Sequence, residues 1–406
     1  MRVLVAMSGG VDSSVAAARL VAEGHEVVGA TLKLWGGPQS SGCCSVADVD
    51  DARRVAQQLG IPHHVFNLTE DFERDVVGPY VAAHAGGRTP NPCIECNRHI
   101  KFDRLLARAR RLGFDRLATG HHAQVRERGG RFSLRRGADP LKDQSYVLSM
   151  LGQSQLGAIV LPVGTMTKAE VRAEAARLGL RTAAKPDSQD VCFIHDDDGR
   201  AGFLSSRLEL HAAAVVDEET GAQLGTVDAV ELVTVGQRRG MPAAGARRYA
   251  VGVDVRARRV SVADAARAVV DAVSLVPGSV TWVDRPLTDG DEALAQVSAH
   301  GRPARCVLEV GSLAGRPVTG GAGGAAPATG GAGGAAPATA TPGTATPGTA
   351  TPGITCVFAV PQRPVAPGQT LALYDLADPD EVRGAGIVAG ARRLQVRSPG
   401  VSGVPA

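Results

Sequence analysis

The chain has 406 residues, of which 44% are hydrophobic and 21% charged, with a formal net charge of +3. That length suits two or three separately cored domains and the balance is ordinary for a globular protein, while the charge is too small to establish a nucleic-acid partner. No apolar stretch reaches the roughly 18 residues of a membrane span, and the short start Met1–Met7 runs into a Gly-rich loop rather than a signal-peptide pattern, so a cytoplasmic protein is expected.

Val3–Met7 reads as a short apolar strand and Ser14–Glu23 as a helix with Val15, Leu20 and Val21 on one stripe. Val27–Leu34 follows as a strand, Val46–Leu59 as a helix ending at Gly60, and Val65–Asn67 as a third strand. Arg104–Leu112 is helical, and Arg116–Ala118 is a short strand running into Thr119-Gly120-His121. This alternation predicts an α/β domain with a parallel sheet covered on both faces. Thr167 to Glu170 opens a further helix with a capping-box pattern, and Gly179 closes it. The first domain is placed at 1–204.

Strands then dominate. Ala213–Val216, Gly225–Val235, Arg248–Val253 and Val260–Val262 suggest a small central β domain at 205–270. Gly278–Val283, Ala304–Val310, Thr355–Val360 and Thr370–Tyr374 suggest a C-terminal β-barrel at 271–395. Inside it, 319–353 carries GGAGGAAPAT twice and then ATPGT units, without a charge or a large apolar residue. Such a segment buries too little surface to offset its ordering entropy, and it reads as a flexible insertion between two barrel strands.

The run Ser8-Gly9-Gly10-Val11-Asp12-Ser13-Ser14 sits between the first strand and the first helix. Glycines allow close backbone approach, a helix N-terminus offers free N–H groups, and Asp12 is placed to orient a Mg2+ ion on bound phosphates. No Gly-Lys-Ser/Thr closes it, so it is not a Walker loop. It resembles the pyrophosphate-binding loop of the N-type ATP pyrophosphatases, which implies ATP as cosubstrate.

Seven cysteines are present, at 43, 44, 93, 96, 192, 306 and 356. In a cytosolic chain they are expected to be reduced. Three readings stand side by side. Cys43, Cys44, Cys93 and Cys96 make a zinc site, although the adjacent pair chelates awkwardly; the cysteines are inert packing, which suits Cys306 and Cys356; or Cys96 and Cys192 meet at the ATP site and handle sulfur.

Seven segments in order bring these features together: SGGVDSS at 8–14, TPNPCIECNRHIKFD at 89–103, ATGHH at 118–122, KDQSY at 142–146, LPVGTMTKAEVR at 161–172, SQDVCFI at 188–194 and GQRRG at 236–240. Together they resemble the tRNA-specific 2-thiouridylases, the MnmA family, from Val3 to about Gly390. The resemblance implies an adenine-nucleotide hydrolase-like α/β domain, a central β domain and a C-terminal barrel. It implies adenylation of O2 of a wobble uridine in tRNAs for Lys, Glu and Gln, followed by sulfur transfer from a persulfide supplied by a cysteine desulfurase or sulfur-relay protein.

By position, the resemblance makes Cys192 the persulfide carrier and Cys96 the nucleophile that helps release its sulfur, leaving a transient Cys96–Cys192 disulfide. Ala6, Met7, Ser8, Gly9, Gly10, Val11, Asp12 and Ser13 would bind ATP, with Leu32 against adenine and Gly120 lining the pocket. Asn91, Pro92 and Cys93 would contact the target base. His121, Lys142, Asp143, Gln144, His300, Gly301 and Gln369 would touch tRNA. Two departures stand out: Cys93 replaces a common Asp, so a carboxylate general base is in doubt there, and Leu32 replaces a common Met. The arginines at 104, 108, 110 and 111 read as a solvated helix face. Those at 126, 128, 131, 135 and 136, around Gly129-Gly130, are candidates for phosphate contact. A small-molecule ligase of the same loop class, or a non-catalytic zinc or RNA-binding module, remains as an alternative.

Overall fold

The computed structural model describes residues 1–35, 46–187, 191–194, 199–242, 247–311 and 353–393. Its N-terminal sheet is built on β1 (Arg2–Ala6), whose Val3, Leu4 and Val5 are fully buried. A short, continuously apolar strand of this kind is covered on both faces, which suits the centre of a parallel sheet. Strand β2 (Glu26–Lys33) pairs with β1 on one side, and β3 (His63–Asn67) lies beyond it. On the other side β1 pairs with β4 (Arg116–Thr119).

Successive side chains of β1 point to opposite faces. Val3, Val5 and Met7 pack with helix α1 (Val11–Ala22), helix α2 (Val46–Gln58) and the helix Lys168–Arg177. Leu4 packs the other way, against Phe72, Val76, Tyr80, Ile100 and Leu105 from the segments between β3 and β4. The two-sided α/β reading therefore holds, as does the capping box at Thr167 and Glu170. The expected helix 104–112 differs: it is the end of a longer helical run whose first part, Cys96–Leu105, is π-helical, followed by Leu106–Arg111 as α-helix.

A hairpin, β5 (Ala123–Arg128) and β6 (Arg131–Arg136), leaves the sheet, and the short β7 (Ile159–Val160) returns to pair with β4. The five-stranded order is β3-β2-β1-β4-β7. The chain reverses direction across the sheet between β1 and β4, so their carboxyl ends flank a crevice, the usual ligand position in open parallel sheets.

Next come β8 (Ala213–Asp217), β9 (Gln223–Val227), β10 (Tyr249–Asp254) and β11 (Arg259–Ala263), ordered β10-β11-β8-β9 over Val215, Val230, Val260 and Val262. The strand expected over 225–235 stops at Val227, and a 3-10 turn at Val230–Leu232 drops Val230 into that core.

The remaining strands are β12 (Val270–Leu275), β13 (Thr281–Trp282), β14 (Glu292–Gln296), β15 (Ala304–Gly311), β16 (Gly353–Gln362), β17 (Thr370–Tyr374) and β18 (Glu381–Arg393). The order β12-β16-β15-β14-β17-β18 closes through pairing of β12 with β18, giving a six-stranded antiparallel barrel. Strand β18 also pairs with β6, through Glu381–Arg135 and Val382–Leu134, so the hairpin ties the barrel to the α/β part.

The insertion at 319–353 lies, except for Gly353, outside the described residues. Its flanks are informative, because Gly311 and Gly353 are paired at the end of the β15–β16 ladder. The two ends that the intervening chain joins are thus adjacent. Replacing 312–352 by an Asn-Gly turn is therefore expected to shift the melting temperature by only about 3 °C, as for a hairpin with a competent short loop. Differential scanning calorimetry checks this.

Candidate active site

The loop after β1 is shaped by two close approaches. Gly9 has φ +76, and a Cβ there would lie 2.2 Å from the Asp48 carbonyl oxygen. A Cβ on Gly120, at the end of β4, would lie 2.6 Å from both the Asp12 carbonyl carbon and the Ser13 nitrogen. The β4 end thus sits directly on the first turn of α1. Ser13 Oγ accepts from Ser8 N (3.2 Å) and donates to Gly10 O (3.1 Å), and Ser14 Oγ donates to Gly10 O at 2.8 Å. Gly10 caps α1 without a side-chain bond, which leaves first-turn N–H groups for an anion. Leu32, near the end of β2, and Met7, directly after β1, are buried.

Charges gather around it. Lys168 Nζ donates to both oxygens of Asp12 at 2.7 Å, and His122 Nε2 lies 3.1 Å from Asp12 Oδ1. Burial opposes ionisation of Asp12, but the bonds from His122 and Lys168 outweigh it and hold its carboxyl below the ordinary value. Lys185 Nζ donates to Gly9 O (3.0 Å), Asp48 (2.6 Å) and Asp51 (2.7 Å), so it braces the loop from the other side. The sequence reading missed both lysines as site residues. Lys168 stands in the segment LPVGTMTKAEVR but was given only a helix-start role, and Lys185 carries no motif.

Asp187 joins Lys142 (2.7 Å), Lys168 (2.8 Å) and Arg172 (2.8 Å). Partial burial opposes its ionisation, yet the bonds from Lys142 and Lys168 prevail and lower it from 3.8 to about 2. A carboxyl depressed on folding contributes stability above its unfolded value and loses it as pH falls through its folded value. The stability difference between wild type and Asp187→Asn is therefore expected to hold at neutral pH and to vanish as pH falls from 3.8 to about 2. Thermal melts across that range measure it.

The cysteine loop is fixed at its root. Thr89 N donates to Pro367 O (2.8 Å), Gln369 Nε2 donates to Thr89 O (2.9 Å) and Thr89 Oγ1 donates to Thr234 Oγ1 (3.3 Å). Asn91 then caps the helix Pro92–Glu95, its Oδ1 accepting from Cys93 N at 3.1 Å and Ile94 N at 3.4 Å. Pro92 sits in the first turn, where its missing N–H costs nothing. Cys93 is half-buried, whereas Cys96 is buried and opens the π-helical run, a geometry often found at functional sites.

Cys192 is half-buried and packs on the same hydrophobic cluster that contains Cys96. Its neighbour Phe193 is anchored among Phe203 (5.0 Å between ring centres), Phe72 (5.5 Å) and Tyr80 (5.6 Å). Among the described residues no disulfide is present. Cys306 and Cys356 are buried in the barrel, as packing residues would be. The zinc alternative needs Cys43 and Cys44, which lie outside the described residues.

Several residues expected to meet tRNA have internal partners. Asp143 accepts from Arg136 Nη1 (2.7 Å), Gly137 N (2.9 Å), Ser145 N (3.0 Å) and Ser145 Oγ (2.8 Å). Gln144 clamps His122 with two backbone-directed bonds of 2.8 Å. His121 is buried against Thr119 Oγ1 (2.7 Å), and burial holds its imidazole well below its ordinary value, hence neutral. Lys142 and His300 are exposed, and Gly301 is half-buried in the same turn as His300.

The arginines divide as well. Arg135 is bound to Asp378, Arg136 to Asp143, and Arg131 to Asp284. Arg126 donates to Gln124, and Arg128 is exposed. On the earlier helix Arg104 pairs with Asp71 and Asp75, Arg108 covers the Phe66 ring, and Arg110 donates to Ser154 O.

Residues 1–196 match the family model described as a tRNA methyl transferase HUP domain. A tRNA-specific 2-thiouridylase MnmA of Mycobacterium avium (strain 104) is 42% identical over 405 residues, covering 97% of this chain and 100% of that relative. The chain belongs to the tRNA-specific 2-thiouridylase (MnmA) family. Another member, from Thermobifida fusca (strain YX), is 47% identical over 314 residues, 75% of this chain and 84% of its own length. Among solved structures, a 4-thiouridine synthetase–RNA complex with bound ATP is 18% identical with a TM-score of 0.32, covering 47% of this chain and 44% of that one. That likeness is too distant to bear on the site. Among the described residues, no helix is long and apolar enough to cross a membrane.

Proposed function

We propose that the protein is an ATP-dependent tRNA-uridine 2-sulfurtransferase. The observation that carries this reading is the pairing of two features in one domain. A phosphate loop lies in the β1–β4 crevice, and Cys96 and Cys192 share a single packed cluster on the Leu4 face of the same sheet. Relatives that bear the 2-thiouridylase name match essentially the whole chain. A small-molecule ligase of the same loop class needs neither the cysteine pair nor the barrel, and a non-catalytic module needs no phosphate loop.

The chemistry follows from the leaving groups. An oxygen on a urea-like carbonyl leaves poorly, whereas AMP leaves well. Uridine O2 attacks the α-phosphorus of ATP and pyrophosphate departs, with the α1 N–H groups and Lys168 neutralising the phosphates. Asp12 would hold Mg2+ on the phosphates, which would supply charge neutralisation there, with Lys168 exchanging the Asp12 oxygens it now holds for phosphate oxygen. Cys96 thiolate attacks Cys192 Sγ in the persulfide, breaking its S–S bond. The outgoing sulfur anion adds to C2 of the activated base and AMP leaves. The products are 2-thiouridine, AMP, pyrophosphate and a Cys96–Cys192 disulfide, which a thiol reductant reopens. In this reading 1–204 carries the chemistry, 205–270 braces the cysteine loop through Thr234, and 271–395 presents tRNA. The wobble uridine of the Lys, Glu and Gln tRNAs is the proposed target, and a cysteine desulfurase or relay protein the sulfur source.

Cys93 stands where a carboxylate is common in the family, and its backbone N–H is used by the Asn91 cap. Cys93→Ser is expected to keep thiolation within about threefold of wild type, because the loop geometry does not rest on its sulfur. A loss as deep as that of Cys96→Ser would make Cys93 the redox partner. The overall test is thiolation of unmodified tRNA with Mg-ATP and a persulfide donor; sulfur incorporation without ATP would sink the mechanism.

A further inference from the structure

Six residues, Gln296, Arg136, Asp143, Gln144, His122 and Asp12, connect the barrel to the phosphate loop through hydrogen bonds and the one peptide step from Asp143 to Gln144. Gln296, on β14, is 1% exposed. Its Nε2 donates to Ser298 O (2.9 Å) and Ala299 O (3.1 Å), so it shapes the turn that carries His300 and Gly301. Its Oε1 accepts from Arg136 Nη2 at 2.8 Å. The Arg136 guanidinium lies 3.9 Å over the Tyr374 ring and donates through Nη1 to Asp143 at 2.7 Å. The next residue, Gln144, clamps His122 at the backbone with two bonds of 2.8 Å, and His122 Nε2 meets Asp12 Oδ1 at 3.1 Å.

We infer that Arg136 and Gln296 are positioning residues that couple RNA engagement on the barrel turn 298–301 to the arrangement of Asp12 at the ATP site. The inference rests on the reading of tRNA as substrate. Its physical ground is that the members nearest the barrel are held on both sides. Asp143 has four donors on its two oxygens, and the Gln296 amide uses its oxygen and its nitrogen. A buried network with its bonds made passes a displacement on, because any one shift breaks bonds at both neighbours. Arg136 is suited to this task because its planar fork reaches Asp143 and Gln296 at once, which a lysine ammonium at the end of a flexible stem does not do in fixed geometry. The benefit is chemical: the α-phosphorus of ATP is presented for attack only when a uridine is in place.

Two variants test it, Gln296→Met and Arg136→Lys, in the full-length protein. Pyrophosphate release is measured with Mg-ATP, with and without saturating unmodified tRNA, beside tRNA affinity and melting temperature. Both variants are expected to keep the RNA-free rate, the ATP KM and tRNA affinity within about threefold, while the tRNA-stimulated kcat falls about tenfold, a usual size for coupling between sites. A merely structural role would lower the melting temperature and the RNA-free rate together. Unchanged kcat at saturating tRNA, with only tRNA affinity weakened, overturns the inference, and so does an unchanged profile. Should Gln296→Met not fold, Arg136→Lys decides alone. If wild type releases pyrophosphate equally with and without tRNA yet thiolates tRNA, the relay is wrong and the proposed function stands. If wild type thiolates nothing, the functional reading fails, and the relay with it.

Discussion

Cys192→Ser is expected to lower tRNA thiolation by at least about a thousandfold while leaving tRNA-stimulated pyrophosphate release within about threefold of wild type. A serine hydroxyl cannot carry a persulfide, so the sulfur half of the reaction stops. The phosphate-binding part of the adenylation half is built elsewhere. The phosphate loop leads into α1, which packs with Val3, Val5 and Met7, whereas Cys192 and Phe193 pack with the Leu4 face. Phe193, not Cys192, is the buried anchor of its segment, so the substitution does not unseat it. Thiolation and pyrophosphate assays on the same preparation separate the two halves. Parallel loss of both would show that Cys192 is needed for the fold or for adenylation.

The second large effect is expected at the loop. Gly9→Ala adds a Cβ at φ +76, where it meets the Asp48 carbonyl oxygen at 2.2 Å. Left-handed backbone costs a non-glycine residue roughly 1–2 kcal/mol, and the overlap with main chain cannot be relieved by a rotamer change. The loop must therefore shift, carrying Gly10 and the α1 N–H groups away from the phosphates and stretching the Lys185 bond to Gly9 O. kcat/KM for ATP is expected to fall about a hundredfold, close to 2.7 kcal/mol of transition-state stabilisation. The melting temperature should fall only slightly, since the loop is an edge of the core. Pyrophosphate kinetics against ATP concentration, beside a melt, distinguish this from global unfolding.

What the sequence revealed depended on whether a residue's role is local. The strand–loop–helix at 2–22, the α1 phosphate loop and the Thr167 capping box are written in neighbouring residues, and their places were readable to within a few positions. Strand β18 was not. Its run Glu381–Arg393 is rich in Gly and Ala, and the glycines are there because a Cβ at 384 would lie 2.6 Å from Thr281 O and one at 386 would lie 2.8 Å from Val280. Close packing against β12 and β13 replaced the β-branched pattern that marks a strand. The π-helical opening at Cys96 also leaves no compositional trace that separates it from α-helix.

The site divides in the same way. Residues 8–13, 91–96 and 120–122 stood out as candidates because glycines, prolines and cysteines are conspicuous. Lys168 and Lys185 did not stand out, because their partners Asp12 and Asp48 lie far away in sequence, and Arg136 was singled out for phosphate contact rather than for its bonds to Asp143 and to the distant Gln296. Asp143 has an internal role that its motif did not announce. The motif KDQSY implied a tRNA contact, and in the structure the Asp143 oxygens also accept from Arg136, Gly137 and Ser145. Gln369 likewise donates to Thr89 O and fastens the barrel to the cysteine loop.

The most direct measurement is nucleoside mass spectrometry of unmodified tRNA after incubation with the purified protein, Mg-ATP and a persulfide donor. The predicted result is exchange of one oxygen for one sulfur at the wobble uridine, matched by equal AMP and pyrophosphate, and absent when ATP or Cys192 is removed. Sulfur at the wobble position without ATP, or ATP turnover that leaves every uridine unchanged, would contradict it.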